Sequence, residues 1–413
     1  MRILIILLCT TLSLSAQTLL VPDRVFDGTE MHQNWVVYVV GNQIEYAGEA
    51  SKFKTPNNTA QIDLKGMTLL PGLIEGHSHL LLHPYDETEW NDQVLKESPV
   101  ERAIRGSVAA KNSLLAGVTS MRDLGAEGAG YTDVYLKKTI DDGLIEGPRL
   151  KVAGPAIVAT GAYGPKGFHD GVTVPLGAEP VSGIDEAIRA VRRQLGNGAN
   201  FIKIYADYRW GKGEPSQPTF LQEELNVMVQ TATSAGRYAV AHASTPEGMR
   251  RAIMAGVETI EHGDGGTKEI FELMKAKGVA LCPTVAAGAA IERYKGWRKG
   301  IDPDPERVTK KKASFKLALE TDVEIVFGGD VGVFTHGENY QELELMVEYG
   351  MEPMKVLQTA TAKNAEHLHF DNLGQLKKGY LADIIAVKGN PVQNISKMRE
   401  VHFVMKEGIV VKQ

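Results

Sequence analysis

The chain has 413 residues, 43% of them hydrophobic and 23% charged, a balance that fits a folded globular enzyme and excludes extended disorder. Lys and Arg number 45 against 51 Asp and Glu, giving a net charge of −6 without any basic run, so a nucleic-acid partner is excluded. Two cysteines, Cys9 and Cys282, are too few for a disulfide framework.

Residues 1–16 read as an export signal. Arg2 supplies the positive start, Ile3 to Leu8 an apolar run, and Ser13, Ser15 and Ala16 the small residues before Gln17. The run falls short of the ~18 apolar residues that span a bilayer. Leu8 stands before Cys9 where lipid attachment wants a small residue. The expectation is an exported protein, periplasmic or secreted, with no membrane anchor. Cys282, among Ala280, Leu281 and Pro283, is expected to be buried, which keeps a lone thiol inert.

Residues 17–65 carry short strands and turns, as in Trp35–Val40, the turn at Gly41 to Gln43, and Ile44 to Ala47. The tail, 370–413, repeats the style in Ala382 to Val387, Val401 to Met405 and Ile409 to Val411. Together they predict one small β-sandwich built from both chain ends. The middle, 66–369, alternates strands with helical stretches. The strands are Thr68–Glu75, Val118–Asp123, Arg149–Val158, Asn200–Ala206, Ala239–Ala243, Thr259–Glu261, Val279–Pro283 and Glu324–Gly328. Helical spacing marks Pro99–Leu115, Ile184–Gly196, Leu221–Ala235, Glu247–Ala255, Lys268–Lys277 and Pro305–Glu320. Glycines at 117, 236, 256 and 278 sit where left-handed helix ends are expected. Eight strands alternating with helices predict an α/β fold, a (β/α)8 TIM barrel. No Gly-x-Gly-x-x-Gly follows an early strand, so a dinucleotide fold lacks its fingerprint.

Barrel chemistry sits at the carboxyl ends of strands, and the polar residues fall there. His77-Ser78-His79 closes the first strand, and residues two apart in an extended chain share a side. In Phe201 to Tyr205, Ile202 and Ile204 face the helices, so Phe201, Lys203 and Tyr205 point inward. A buried ammonium must be paired, neutralised or modified. Lys203 is therefore either a salt-bridge partner or a carbamate formed with CO₂, an anionic ligand able to bridge two metals. His242, His262 and Asp330 close later strands, and imidazole suits Zn²⁺-like ions. Six potential ligands on five strands lie at one end of the expected barrel.

These residues, with Leu70-Pro71-Gly72-Leu73-Ile74, Lys203-Ile204-Tyr205-Ala206-Asp207-Tyr208-Arg209, Glu261-His262-Gly263 and Leu376 to Ile384, resemble the binuclear branch of the amidohydrolase superfamily. The resemblance is to its Xaa-Pro dipeptidase-like and imidazolonepropionase-like group, which includes ochratoxin-splitting hydrolases of N-acyl amino acids. It implies two divalent metal ions, zinc by default. His77, His79 and Asp330 would hold the buried ion, His242 and His262 the exposed one, with N6-carboxylysine at Lys203 and a hydroxide bridging them. Asp330 would be the catalytic base and then the acid. The implied reaction is hydrolysis of the amide bond of a dipeptide or N-acyl amino acid. Substrate contacts are expected from Tyr205 and either Arg209 or His336. Tyr163 stands after the third strand, where relatives often place a histidine, and can donate a hydrogen bond without being cationic. A cyclic amide or lactone on the same site, or an exported binding protein on a dead barrel, are the rival readings. The partner is a small-molecule or dipeptide substrate, and a homo-oligomer is compatible with the chain.

Overall fold

The structure, a computed structural model, describes residues 17–413; the expected export signal lies outside the described residues. Both chain ends enter one eight-stranded sheet. Its order is Ile409–Lys412, Val401–Lys406, Ile384–Lys388, Ala60–Pro71, Gln17–Phe26, Trp35–Val40 and Gln43–Glu49, with Met31–Gln33 pairing beside Gln17–Phe26. Ala60–Pro71 runs parallel to Gln17–Phe26 and antiparallel to Ile384–Lys388. Leu20, Val37, Ile44, Leu69, Ile384 and Phe403 bury one apolar cluster on this sheet, as alternation of side chains across a pleat requires.

The sheet extends beyond residue 65. Thr68–Glu75, expected as one strand, is two: Ala60–Pro71 belongs to the terminal sheet, and Leu73–Ser78 opens the parallel strands. Gly72 separates them because the chain passes against Thr119 there; a β-carbon at Gly72 would stand 2.2 Å from Thr119 Oγ1.

The middle of the chain is parallel strand and helix. Leu73–Ser78, Val118–Asp123 and Arg149–Val152 form one parallel sheet. Glu179–Val181, Ile157–Ala159, Ile202–Tyr205, Ala239–Ala243, Thr259–His262 and Ala280–Cys282 form another in that spatial order. Backbone bonds tie the two sheets together. Asn200 N–H donates to Val152 O at 2.8 Å, Leu281 N–H to Glu324 O at 2.8 Å, and Gly76 N–H to Phe327 O at 3.0 Å. Helices pack outside by their apolar stripe: Gly183–Gly196 buries Ala187, Ala190, Val191 and Gln194, the i, i+3, i+4, i+7 pattern. Pro99–Leu115 starts where Ser98 Oγ accepts from Glu101 N–H. The four expected helix-ending glycines all have positive φ. Phe201 packs inside with Leu124, Ala153 and Val240, while Ile202 and Ile204 join the core shared with the helices, so Lys203 and Tyr205 face the centre. Cys282 is fully buried. No helix among the described residues is long and apolar enough to cross a membrane.

Candidate active site

All six expected ligands converge. Asp330 Oδ1 lies 3.5 Å from His77 Nε2 and 3.5 Å from His79 Nε2. His77, His262 and Asp330 each offer a ligand atom within 4.8 Å of the others. The rings of His242 and His262 are 4.5 Å apart and those of His77 and His262 5.0 Å. Backbone conformation explains how neighbours in one strand both reach the centre. Glu261 points inward by the period of two, which would turn His262 outward; a left-handed φ of 76° swings it back. Asp330 is aimed in the same way, at φ 61°.

Three of the four imidazoles are tied by Nδ1. His77 Nδ1–H donates to Glu261 at 2.8 Å, and Arg122 Nη2 holds the other oxygen of Glu261 at 2.8 Å. Arg122 and Glu261 are fully buried. His79 Nδ1–H donates to Gly125 O at 3.0 Å, and His262 Nδ1 meets Thr284 Oγ1 at 2.8 Å. These partners leave Nε2 of His77 and His79 free of protons and turned toward Asp330, the state a metal ligand needs. Burial, reinforced by Lys203, pushes the His242 imidazole down to about 3. Burial likewise holds His77 and His262 well below the ordinary imidazole range. His77, His242 and His262 are therefore neutral imidazoles at physiological pH.

The site opens into a cavity of about 640 Å³, a size suited to a dipeptide-sized molecule. An amidohydrolase family model matches residues 68–411. The chain belongs to the amidohydrolase family. It is a hydrolase of carbon–nitrogen bonds, and the reading of a dead binding protein falls away. It is similar to ochratoxinase of Aspergillus niger, 32% identical over 361 residues that cover 80% of this chain and 72% of that one. It is also similar to imidazolonepropionase of Cutibacterium acnes, at 25% identity over 86% of this chain and 84% of the relative. Among solved structures, a Xaa-Pro dipeptidase with bound methionine in its active site superposes with a TM-score of 0.85, at 31% identity over 96% of this chain and 100% of that one.

The residues of this amidohydrolase fit a metal centre. Lys203 is 1% exposed and its Nζ has no hydrogen-bond partner among the described residues. Burial lowers its pKa, which favours the neutral amine. An orphaned buried amine whose charge acts on His77, His242, His262 and Asp330 calls for a partner between them. The salt-bridge alternative fails on geometry, since Lys203 forms no ion pair among the described residues.

The substrate contacts divide. Tyr163, Tyr205 and Arg209 line the cavity. Arg209 lies at the exposed mouth, 5.3 Å over the Tyr208 ring. His336 does not reach the cavity. It is buried, its Nε2 lies 3.2 Å from both the His79 and Leu82 carbonyl oxygens, and it braces the turn after the first strand instead of binding an anion. Tyr163 and Tyr205 also need correction as donors to an anion. Tyr163 O–H donates to Glu127 at 2.7 Å, and Tyr205 O–H approaches the same carboxylate at 3.5 Å, so an anionic group beside either would meet a like charge. Glu127, Arg122, Glu261 and Arg307 escaped the sequence reading. The adjacent Glu261-His262 pair was the available signal for Glu261, because an inward acid beside a strand-end histidine suits a hydrogen-bond partner.

Proposed function

We propose that this protein is an exported, metal-dependent hydrolase that cleaves the amide bond of dipeptides or N-acyl amino acids. Its two parallel sheets, of three and six strands, together with the bridge from Leu281 to Ile325 are read as a closed (β/α)8 barrel, with both chain ends forming the appended β-sandwich. The backbone bonds from Cys282's strand to Glu324, and from Phe327 back to Gly76, support closure. The observation that carries the chemistry is the orphaned Nζ of Lys203 amid His77, His79, His242, His262 and Asp330. In this reading the neutral amine of Lys203 adds CO₂, forming an N–C bond and losing one proton, and becomes an anionic carbamate. His77, His79 and Asp330 would hold one divalent ion, His242 and His262 a second, with the carbamate between. Zinc suits this mixed nitrogen and oxygen set, as do manganese, cobalt and iron. Bound there, two cations would supply a water acidic enough to ionise near neutral pH and polarise the substrate carbonyl.

The chain's own groups do the rest. Asp330 accepts the proton of the attacking water and passes it to the departing amine nitrogen. Arg122 and Glu261 fix the His77 ring through the attack. A free carboxylate on the substrate is drawn to the cationic mouth, where Arg209, Arg307, Lys166 and Lys212 stand. Metal-loaded enzyme offered a library of dipeptides and their C-terminal carboxamides is expected to favour the acids at least about tenfold, one charge-assisted contact. Arg209→Ala should narrow that preference. Equal turnover of acid and amide removes the carboxylate contact, and no cleavage of any acyl amino acid removes the substrate class.

Export rests on the run from Arg2 to Ala16. Mass spectrometry of protein from a bacterial periplasm is expected to read an N-terminus near Gln17. An intact Met1 there would overturn it.

A further inference from the structure

One part of the cavity wall is built around a single carboxylate. Glu127 is 2% exposed, yet it lines the cavity. It sits at φ 46°, between Gly125 and Gly128, both also at positive φ. That backbone is sparsely populated for a side-chain-bearing residue, and it is held from below by Arg102, whose buried guanidinium donates to the carbonyls of Leu81, Ala126 and Glu127. Glu127 Oε2 accepts from Trp90 Nε1–H at 2.8 Å and from Tyr163 O–H at 2.7 Å. Oε1 has only the long 3.5 Å approach of Tyr205 O–H. No Lys or Arg among the described residues pairs with this carboxylate, and Arg102 is committed to backbone carbonyls.

A buried carboxylate with neutral donors on one oxygen and a nearly free second oxygen is half-compensated. The groups around it are what a cation wants. Trp90 and Tyr163 meet edge to face at 5.3 Å, and Tyr163 and Tyr205 pack tilted at 4.8 Å, so an aromatic cluster surrounds the acid and turns its polar edges to it. With Tyr163's proton given to Glu127, its phenolic oxygen offers lone pairs to the cavity. His79 sets the distance to the reaction: one ring nitrogen lies 3.9 Å from Glu127 Oε1 and the other 3.5 Å from Asp330 Oδ1. Glu127 is thus one imidazole ring from the proposed base. In a dipeptide the ammonium nitrogen is two bonds from the scissile carbonyl carbon, which matches that reach.

We propose that Glu127 binds the free α-ammonium of the substrate, so that the enzyme takes unblocked dipeptides in preference to N-acyl amino acids. The inference rests on the amide-hydrolase reading above and narrows it. The substrate then sets its ammonium at Glu127 and its carboxylate toward a cation of the same cavity, such as Arg307. A neutral acyl cap would leave Oε1 buried without a partner, which is the basis of discrimination.

The test compares L-alanyl-L-phenylalanine with (S)-lactoyl-L-phenylalanine, in which a hydroxyl replaces the ammonium at nearly constant size. The zinc-loaded wild type is expected to favour the alanyl compound in kcat/KM by about thirtyfold or more. Glu127→Gln should collapse the preference to within about threefold, and Glu127→Asp should restore part of it. Metal content and the melting temperature of each variant exclude misfolding. Wild-type enzyme that treats the two alike overturns the inference. So does a Glu127→Gln variant that lowers both by one factor, which would mark Glu127 as support for its aromatic neighbours only. Should the wild type cleave neither compound, the hydrolase assignment fails separately. Calorimetric binding of L-alaninamide against lactamide then decides Glu127 alone, with tighter binding of the cation supporting it and equal binding overturning it.

Discussion

Replacing Lys203 by alanine is expected to lower kcat/KM toward any amide substrate by at least about a thousandfold, or about 4 kcal/mol of barrier. Lys203 is the one strongly basic group inside the ring of imidazoles, and its Nζ contacts no acceptor among the described residues. Carbamylated, it would bring the negative charge that two divalent ions need; as alanine, it leaves a void at the centre of the ligand set. Metal analysis of purified protein should show about two ions per chain for wild type and fewer than one for the variant. Propionate or another short carboxylate should refill the void and restore part of the activity, since it presents the same oxygens at the same place. Reconstitution of wild type without CO₂ should be equally weak. A variant that keeps its metals and its turnover would show Lys203 to be packing alone.

Asp330→Asn separates proton transfer from ligation. The amide keeps one oxygen at the position 3.5 Å from His77 and His79, but it cannot accept a proton. General base and acid assistance contributes about a hundredfold to ten-thousandfold, so kcat should fall by about a thousandfold. KM and metal content should move much less. Burial raises the Asp330 pKa, partly offset by His79 and Lys203, which suits a group that must hold a proton briefly and return it. A variant retaining more than a tenth of wild-type kcat would place the base elsewhere in the cavity.

The convergence of these six residues was legible in the sequence because five lie on or directly beside short apolar parallel strands and Asp330 follows the apolar run Ile325 to Phe327, positions that parallel topology sends to one rim. His77, Lys203 and Asp330 needed only strand periodicity and chain order. What resisted was anything made by loops. Glu127 acquires meaning from Trp90, Tyr163 and Tyr205, which come from three other segments, and from a positive φ that no spacing rule announces. His336, followed by Gly337 and Glu338, looks like an exposed loop cation, but its loop folds beneath residues 79–82 and satisfies the ring with carbonyls. Thr68 to Glu75 reads as one apolar run, and the break at Gly72 follows from the close approach of Thr119 on the neighbouring parallel strand and not from local composition. Arg307 lies on the amphipathic helix Glu306–Thr321, where a solvated charge is the ordinary reading, yet that helix leans its first turn over the cavity.

The antiparallel pairing of Ala60–Pro71 with Ile384–Lys388 has a temporal meaning. A ribosome adding about 5–20 residues per second needs some 15 s or longer to travel between those two strands. Throughout that interval Leu69 and Leu70 present an unzipped apolar border to whatever else is nearby, a standing invitation to intermolecular pairing. Joining them closes a very long loop, which makes this seam the slow, late event in the maturation of the polypeptide.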